Sequence, residues 1–228
     1  MYQKLRFFLL SIWAYFKFKK SYSQDGEDIV LQSFFEGQKG YRGFYVDVGA
    51  HHPVRFSNTW HFYKNNWRGI NIDPTPGSMT PFRLLRRRDV NLEIGIGRVP
   101  GELTFYCFNE PALNTFDDTV ANERNKKDPY YIIKEVKIPL VPLSDILEKN
   151  IVPNQNIDFL SIDVEGLDLE VLKSNNWEKF RPTFVLIEDH SFNIDYPWKS
   201  TIYQYLTSIN YKIVATLKRT IIYRKQND

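Results

Sequence analysis

Gly43-Phe44-Tyr45-Val46-Asp47-Val48-Gly49-Ala50-His51-His52-Pro53 is an apolar, β-rich run that ends in an acid, a glycine turn and two histidines. Residues 58–64, just beyond it, can start a helix. A buried strand that stops at a glycine and turns into a helix is a common way to build a nucleotide or cofactor site. Many α/β proteins carry such a turn, so its meaning depends on the residues downstream.

Strands and helices alternate through the remainder of the chain. Residues 68–73 read as a second strand, stopped by Pro74 and Pro76. Residues 90–94 form a third, closed by Gly95 and Gly97, and residues 103–108 and 136–140 are further strands. The runs 157–163 and 183–188 are apolar and end in acids, and 211–217 with 220–223 make a closing hairpin around Lys218-Arg219. Between them lie helices near 55–65, at 78–87, 142–149, 167–174 and 200–208, and an earlier one through Ile29 and Phe35 that Ser23 can cap. This is an α/β fold, a mostly parallel sheet with helices on both faces and one antiparallel strand from the hairpin. The polar, helix-poor stretch at about 109–130 reads as an insertion, a lid over the site.

The length of 228 residues suits one domain, here 21–228, and 43% hydrophobic residues supply a sizeable core. A formal charge of only +3 carries no basic stripe for nucleic acid, and Arg86-Arg87-Arg88 and the Lys17, Lys19, Lys20 group read as solvated faces. Cys107 is the single cysteine, so no intrachain disulfide can form, which fits a reducing cytoplasm. Residues 1–20 read as an amphipathic helix whose apolar part, 7–16, is too short to span a bilayer. No small-residue cleavage site comes after it, so no secretory signal is expected. The helix packs on the domain or on a second subunit, or it lies against the inner face of the membrane.

Parallel strands put their carboxyl ends on one edge, and ligands bind there. Asp47, Asp73, Asp163 and Glu188-Asp189 all fall on that edge, and crowded carboxylates favour cationic or hydroxyl-bearing ligands. Asp73, one βαβ unit beyond Asp47, is placed for a ribose diol. There is no Gly-x-Gly-x-x-Gly and no Gly-Lys-Ser/Thr loop, and an acid in the first turn repels pyrophosphate. S-adenosylmethionine, with an amine, a sulfonium, a ribose and no phosphate, meets these demands. Asp163, Glu188 and Asp189, with His190 beside them, can hold a divalent metal, magnesium or manganese, that binds substrate oxygens; capping and packing explain the same residues. His190 can instead take a proton. His51 and His52 point different ways on a turn, so they shape it rather than share a metal, with His51 offering its backbone to the cofactor. Gln24 or Glu27 can reach the cofactor, unless the segment 23–28 only caps its helix.

At these residues the chain resembles the FkbM family of S-adenosylmethionine-dependent methyltransferases, from about residue 21 to 223. The resemblance rests on Ser23-Gln24-Asp25-Gly26-Glu27-Asp28, Phe44-Tyr45-Val46-Asp47-Val48-Gly49-Ala50, Gly69-Ile70-Asn71-Ile72-Asp73-Pro74 and Leu160-Ser161-Ile162-Asp163-Val164-Glu165-Gly166. It implies a class I methyltransferase sheet of seven strands, the last antiparallel, and O-methylation of a sugar hydroxyl on a glycan, nucleotide sugar or natural product. It implies that Asp47 and Gly49 line the methionine side of the cofactor, that Asp73 binds the ribose and that Glu93 and Ile94 flank the adenine. Metal-using relatives imply ligands at Asp163, Glu188 and Asp189. His51-His52-Pro53 departs from the family's usual Asn and second Gly, and Ser57, Asn58 and Thr59 can compensate. The expected cofactor set is thus Gln24, Asp47, Gly49, Ala50, His51, Asn58, Asp73, Glu93, Ile94 and Asp163, with His190 and Asp163 as the catalytic pair. Asn114 and Thr115 of the lid, with Tyr130, Tyr131, Tyr196 and Trp198, are candidates to choose a small-molecule or glycan acceptor. The competing readings are a nicotinamide-dependent oxidoreductase and a non-catalytic Rossmann-like binding module.

Overall fold

The computed structural model describes residues 3, 5–8, 10, 19–38 and 40–226. Its main sheet contains β1 (Phe44–Val48), β2 (Arg68–Ile72), β3 (Val90–Leu92), β7 (Phe159–Ile162), β8 (Phe184–Glu188), β9 (Tyr211–Thr216) and β10 (Thr220–Lys225). The spatial order is β3-β2-β1-β7-β8-β10-β9. The first five strands are parallel, and β10 slots in antiparallel between β8 and β9. This is the seven-stranded class I methyltransferase arrangement that the four motifs imply. The strand order reverses at β1 and β7, the place where open α/β sheets bind ligands.

Central strands are buried on both faces, which is why β1, β7 and β8 read as continuous apolar runs. Alternation then sorts their side chains. Phe44, Val46 and Val48 of β1, with Leu160 and Ile162 of β7, pack under α5 (Leu143–Asn150), α6 (Asp168–Lys173) and α7 (Thr201–Ser208). Tyr45, Phe159, Phe184 and Leu186 pack under α1 (Glu27–Ser33) and α2 (Trp60–Lys64). Each such buried side chain contributes about 1.5–3 kcal/mol, so a one-residue slip of β1 would bring Asp47 into the apolar layer and is strongly disfavoured.

A second, three-stranded sheet was not legible as such. It joins β4 (Gly95–Ile96) and β5 (Gly101–Phe108) to β6 (Ile132–Val141), in the order β4-β6-β5. The β5–β6 connection is the insertion, and it is not helix-poor. It holds a 3-10 turn, Pro111–Leu113, and α4 (Asp118–Arg124), capped by Asp117 Oδ1 accepting from the Thr119 and Val120 amides. Helix α3 (Met79–Leu85) comes after β2. The helix expected near 55–65 shrinks to α2, because the chain from Pro53 to Phe56 is bent. Ser23 does not cap α1. Gly26 does so with a left-handed backbone, and Ser23 holds Asp28 instead. Arg86 is not on a solvated face: it is fully buried. Most of the expected helix at 1–20 lies outside the described residues. Those described at 3, 5–8 and 10 are helical and exposed, and among the described residues no helix is long and apolar enough to cross a membrane.

Candidate active site

The carboxyl edge of the sheet opens into a cavity of about 200 Å³ at the β1/β7 switch point. Its floor is the turn after β1. Gly49 has φ +83°, and a Cβ there would lie 1.7 Å from the Asp163 carbonyl oxygen, so only glycine lets the β1 and β7 ends approach this closely. The turn's amides are all spent. Gly49 and Ala50 donate to the Ile72 carbonyl at 2.9 and 3.0 Å, His51 to Asp73 Oδ2 at 2.9 Å, and His52 to the Ala50 carbonyl at 2.6 Å. A pyrophosphate needs free amides at such a turn, and none is on offer between Gly49 and His52.

Ile72, Ile94, Ile96, Phe105 and Phe116 give the cavity its apolar lining, and Asp73 is among its polar residues. Asp73 also accepts from the Thr75 amide at 2.8 Å, which fixes the carboxylate at the pocket wall with lone pairs to spare. The polar lining takes in Gln24, His51, Asp163, Glu165, Glu188, His190 and Arg219 as well. Arg219, from the β9–β10 turn, donates to Asp25 at 3.2 Å. With its amide oxygen turned toward Arg219, Gln24 accepts from Nη2 at 2.8 Å.

Asp163, Glu165 and Glu188 repel one another. Asp163 Oδ1 is shut off from solvent and has no partner. Burial first, and then the charges of Glu188, Glu165 and Asp168, hold the Asp163 carboxyl well above the usual range. Glu188 is pushed up to about 7 by burial and by Glu165, against the pull of His190 and Arg219. His190, itself exposed, sits with Nε2 3.2 Å from Glu188 Oε2. Oxygen and nitrogen atoms of Glu165, Glu188 and His190 all lie within 4.8 Å of one another. An oxygen-and-imidazole donor set beside an unpartnered buried carboxylate oxygen fits a hard divalent cation.

Several expected site residues lie elsewhere. Asp189 is not with this cluster. Its Oδ1 accepts from the Ser191 amide and hydroxyl at 2.9 and 2.7 Å and its Oδ2 from Ser200 Oγ at 2.5 Å, so it braces the turn that starts α7. Glu165, which sequence reasoning passed over although it stands in a quoted motif, takes the third position. Asp47 is buried off the pocket wall, because alternation aims it under α2, where Oδ2 accepts from Thr59 Oγ1 at 2.9 Å and burial raises its pKa to about 6. Ala50 packs with Met79 and Phe82, Glu93 is exposed while its neighbour Ile94 lines the wall, and Asn58 donates to Ser161 beside a small chamber behind the main cavity. His51 lines the pocket with its amide already spent on Asp73, and burial lowers the pKa of its imidazole. His52 shapes the turn as expected, its Nδ1 accepting from Val54 and Arg55 amides.

The 109–131 insertion covers the cavity through Pro111, Leu113, Asn114 and Phe116. It is tied down on both sides. Asn114 donates to Thr75 at 3.1 Å, Thr115 Oγ1 to the Glu165 carbonyl at 2.8 Å, and Arg55 pairs with Glu110 at 3.1 Å. Arg124 pairs with Glu165 and donates to the Leu113 carbonyl.

The methyltransferase FkbM domain profile matches residues 47–213, from Asp47 of β1 to Ile213 of β9. The chain belongs to the FkbM methyltransferase family. A solved structure with the same fold is the methyltransferase FkbM from Methylobacillus flagellatus KT, 17% identical with a TM-score of 0.50. The match covers 84% of the present chain and 46% of that one, so this chain spans about half the length of that relative. No curated protein matches. The FkbM match takes in the end of β1 and the whole of β2, β7 and β8, but not Gln24 or Arg219, which line the cavity from outside the matched region.

Proposed function

We propose that this chain transfers a methyl group from S-adenosylmethionine to a hydroxyl of a sugar-containing acceptor. The observation that carries the reading is the closed turn after β1. With every amide from Gly49 to His52 already donated and several acids in the lining, the cavity suits a cofactor with a ribose and positive charges, not one with a pyrophosphate. The same observation weighs against a nicotinamide oxidoreductase. The apolar lining suits the adenine, and Asp73 is placed to accept from ribose hydroxyls. FkbM membership supports methyl transfer in a carbohydrate setting.

The bound cofactor would supply a methyl carbon made electrophilic by the sulfonium. The protein has to align the acceptor oxygen with that carbon and remove the hydroxyl proton. His190, exposed at the mouth and bonded to Glu188, is placed to receive the proton. In the alternative arrangement Glu165, Glu188 and His190 would hold a divalent ion, which would lower the pKa of a bound hydroxyl so that His190 need not act as the base. The lid supplies the acceptor-side wall.

Calorimetry with S-adenosylmethionine and with NADH tests the reading. Heat of binding is expected for the first only, and absence of binding at millimolar concentration overturns the proposal. Asp73→Ala is expected to weaken S-adenosylmethionine by about 10–100-fold, the worth of hydrogen bonds to a charged acceptor. Because Asp73 also holds His51 and Thr75, Asp73→Asn serves as the milder variant and is expected to fall between. Equal affinity in all three proteins would refute the ribose role.

A further inference from the structure

A second cavity, of about 400 Å³, lies at the opposite edge of the sheet. It is bounded by residues 40–42, which lead into β1, by α1 and α2, and by the turn 65–67 that leads into β2. The length of β1, about 16 Å, separates it from the carboxyl edge. Among the described residues its lining carries no carboxylate, whereas the main cavity carries four, Asp73, Asp163, Glu165 and Glu188. It does carry two cations, Arg42 and Lys64, and neither pairs with an acid among the described residues. Lys64 donates to the Tyr22 hydroxyl at 2.8 Å, and Arg42 is exposed. Unpaired cations around a concave surface draw in an anion.

The side-chain amides of Gln32, Gln38, Asn65 and Asn66 belong to the same lining. An amide both donates and accepts, as a sugar hydroxyl does. Two polar atoms of lining residues, Gln32 Oε1 and His61 Nε2, are shut off from solvent and have no partner. Buried polar atoms left unpaired in a native fold call for an occupant that satisfies them. Tyr41 adds a ring that is 42% exposed yet fixed, its hydroxyl donating to Asp158 at 2.5 Å and its edge set against Trp67 at 5.6 Å. We infer that this cavity binds an anionic sugar unit, one bearing a carboxylate or a phosphate, with Arg42 and Lys64 meeting the charge, the amides meeting the hydroxyls and the Tyr41 ring meeting the apolar face of the sugar. A bare anion would leave the amides and the ring unused, and a neutral sugar would leave both cations unpaired. The inference goes beyond the methyl transfer and depends on neither the cofactor nor the reaction.

The test is an amide-shift titration of the full chain, without S-adenosylmethionine, using glucose 1-phosphate, glucuronate, glucose, inorganic phosphate and uridine monophosphate as probes. Amides of 40–42 and 64–67 are expected to shift with glucose 1-phosphate, with glucuronate or with both, and the probe that acts names the anionic group. Glucose and inorganic phosphate should bind at least ten-fold more weakly, and binding of the acidic sugar should weaken as salt rises. Arg42→Glu is expected to lower affinity at least ten-fold, and Gln38→Ala at least three-fold. Both side chains are exposed, so neither variant should move the thermal midpoint or the binding of S-adenosylmethionine. No shift with either acidic sugar at tens of millimolar, equal binding of inorganic phosphate, tighter binding of the nucleotide, or binding indifferent to Arg42→Glu overturns the inference.

Discussion

Five acceptors and a cage of rings converge on Arg86. Its guanidinium donates to Asp89 at 3.0 Å, the Pro53 carbonyl at 3.0 Å, Tyr45 at 3.1 Å, Thr59 at 2.6 Å and Asn71 at 3.2 Å. The Tyr63 ring lies 4.8 Å away. Thr59 passes this cation's influence to Asp47, so the network sets the β1 end from below. A buried cation removed from such partners strands the acids it served. Arg86→Met is expected to cost about 3–5 kcal/mol, read from the urea midpoint, while Arg87→Ala on the exposed side of the same run stays within about 0.5 kcal/mol. A loss for Arg86→Met no larger than that of Arg87→Ala would mean the network is slack. Nothing in Arg86-Arg87-Arg88 tells which side chain turns inward; that depends on where α3 ends against Tyr45 and Asn71, which are distant in sequence. Asp47 was legible as a strand end, but its direction comes from strand alternation against a helix whose side of the sheet only the structure fixes.

Strands and helices long enough to show a period were legible. Elements held by a single long-range pairing were not. β4 is two residues, recognisable only through its parallel partner Leu140–Val141. Helix α4 was hidden because its burial is slight, Ala121 being its one buried residue, although Asp117 before it is a clear cap. Such a helix is held by ties at its ends rather than by a core. Its chief tie is Arg124, partly buried, which spans from the Leu113 carbonyl to Glu165. Charge-assisted bonds of this kind are worth about 1.5–3 kcal/mol. Arg124→Ala is therefore expected to raise amide exchange across 118–124 at least ten-fold, in keeping with local opening, while exchange in β1 and β7 stays as before. Unchanged exchange in α4 would show that Thr115 and Asn114 hold the lid without it.

Over the whole molecule, the gathering of acids is a consequence of topology: parallel strands on either side of one switch point must end on one edge. That much was legible from four acid-terminated runs. Which acids face the cavity was not, because the residue after a strand end turns with its loop. Asp189 goes to Ser200, and Glu165, at φ +57°, turns in. The edge carries a cost that varies with pH. Glu188, raised to about 7 in the fold, binds more protons there than in the unfolded chain between its ordinary value of 4.5 and about 7. Stability from this group is present below pH 4.5 and is lost as pH rises through 7. A divalent ion held by Glu165, Glu188 and His190 would offset that loss, and protons compete with it. At ten times its dissociation constant at pH 8, manganese should stabilise by about 1.4 kcal/mol, a rise of roughly 3–5 °C in the midpoint for a domain of this size. At pH 6, with Glu188 about nine-tenths protonated, affinity falls about ten-fold and the same concentration should raise the midpoint by only about 1 °C. Glu165→Gln should remove the shift at both pH values, and EDTA should reverse it. A manganese shift that is the same at pH 6 and pH 8, or that survives Glu165→Gln, would place the ion elsewhere on the protein.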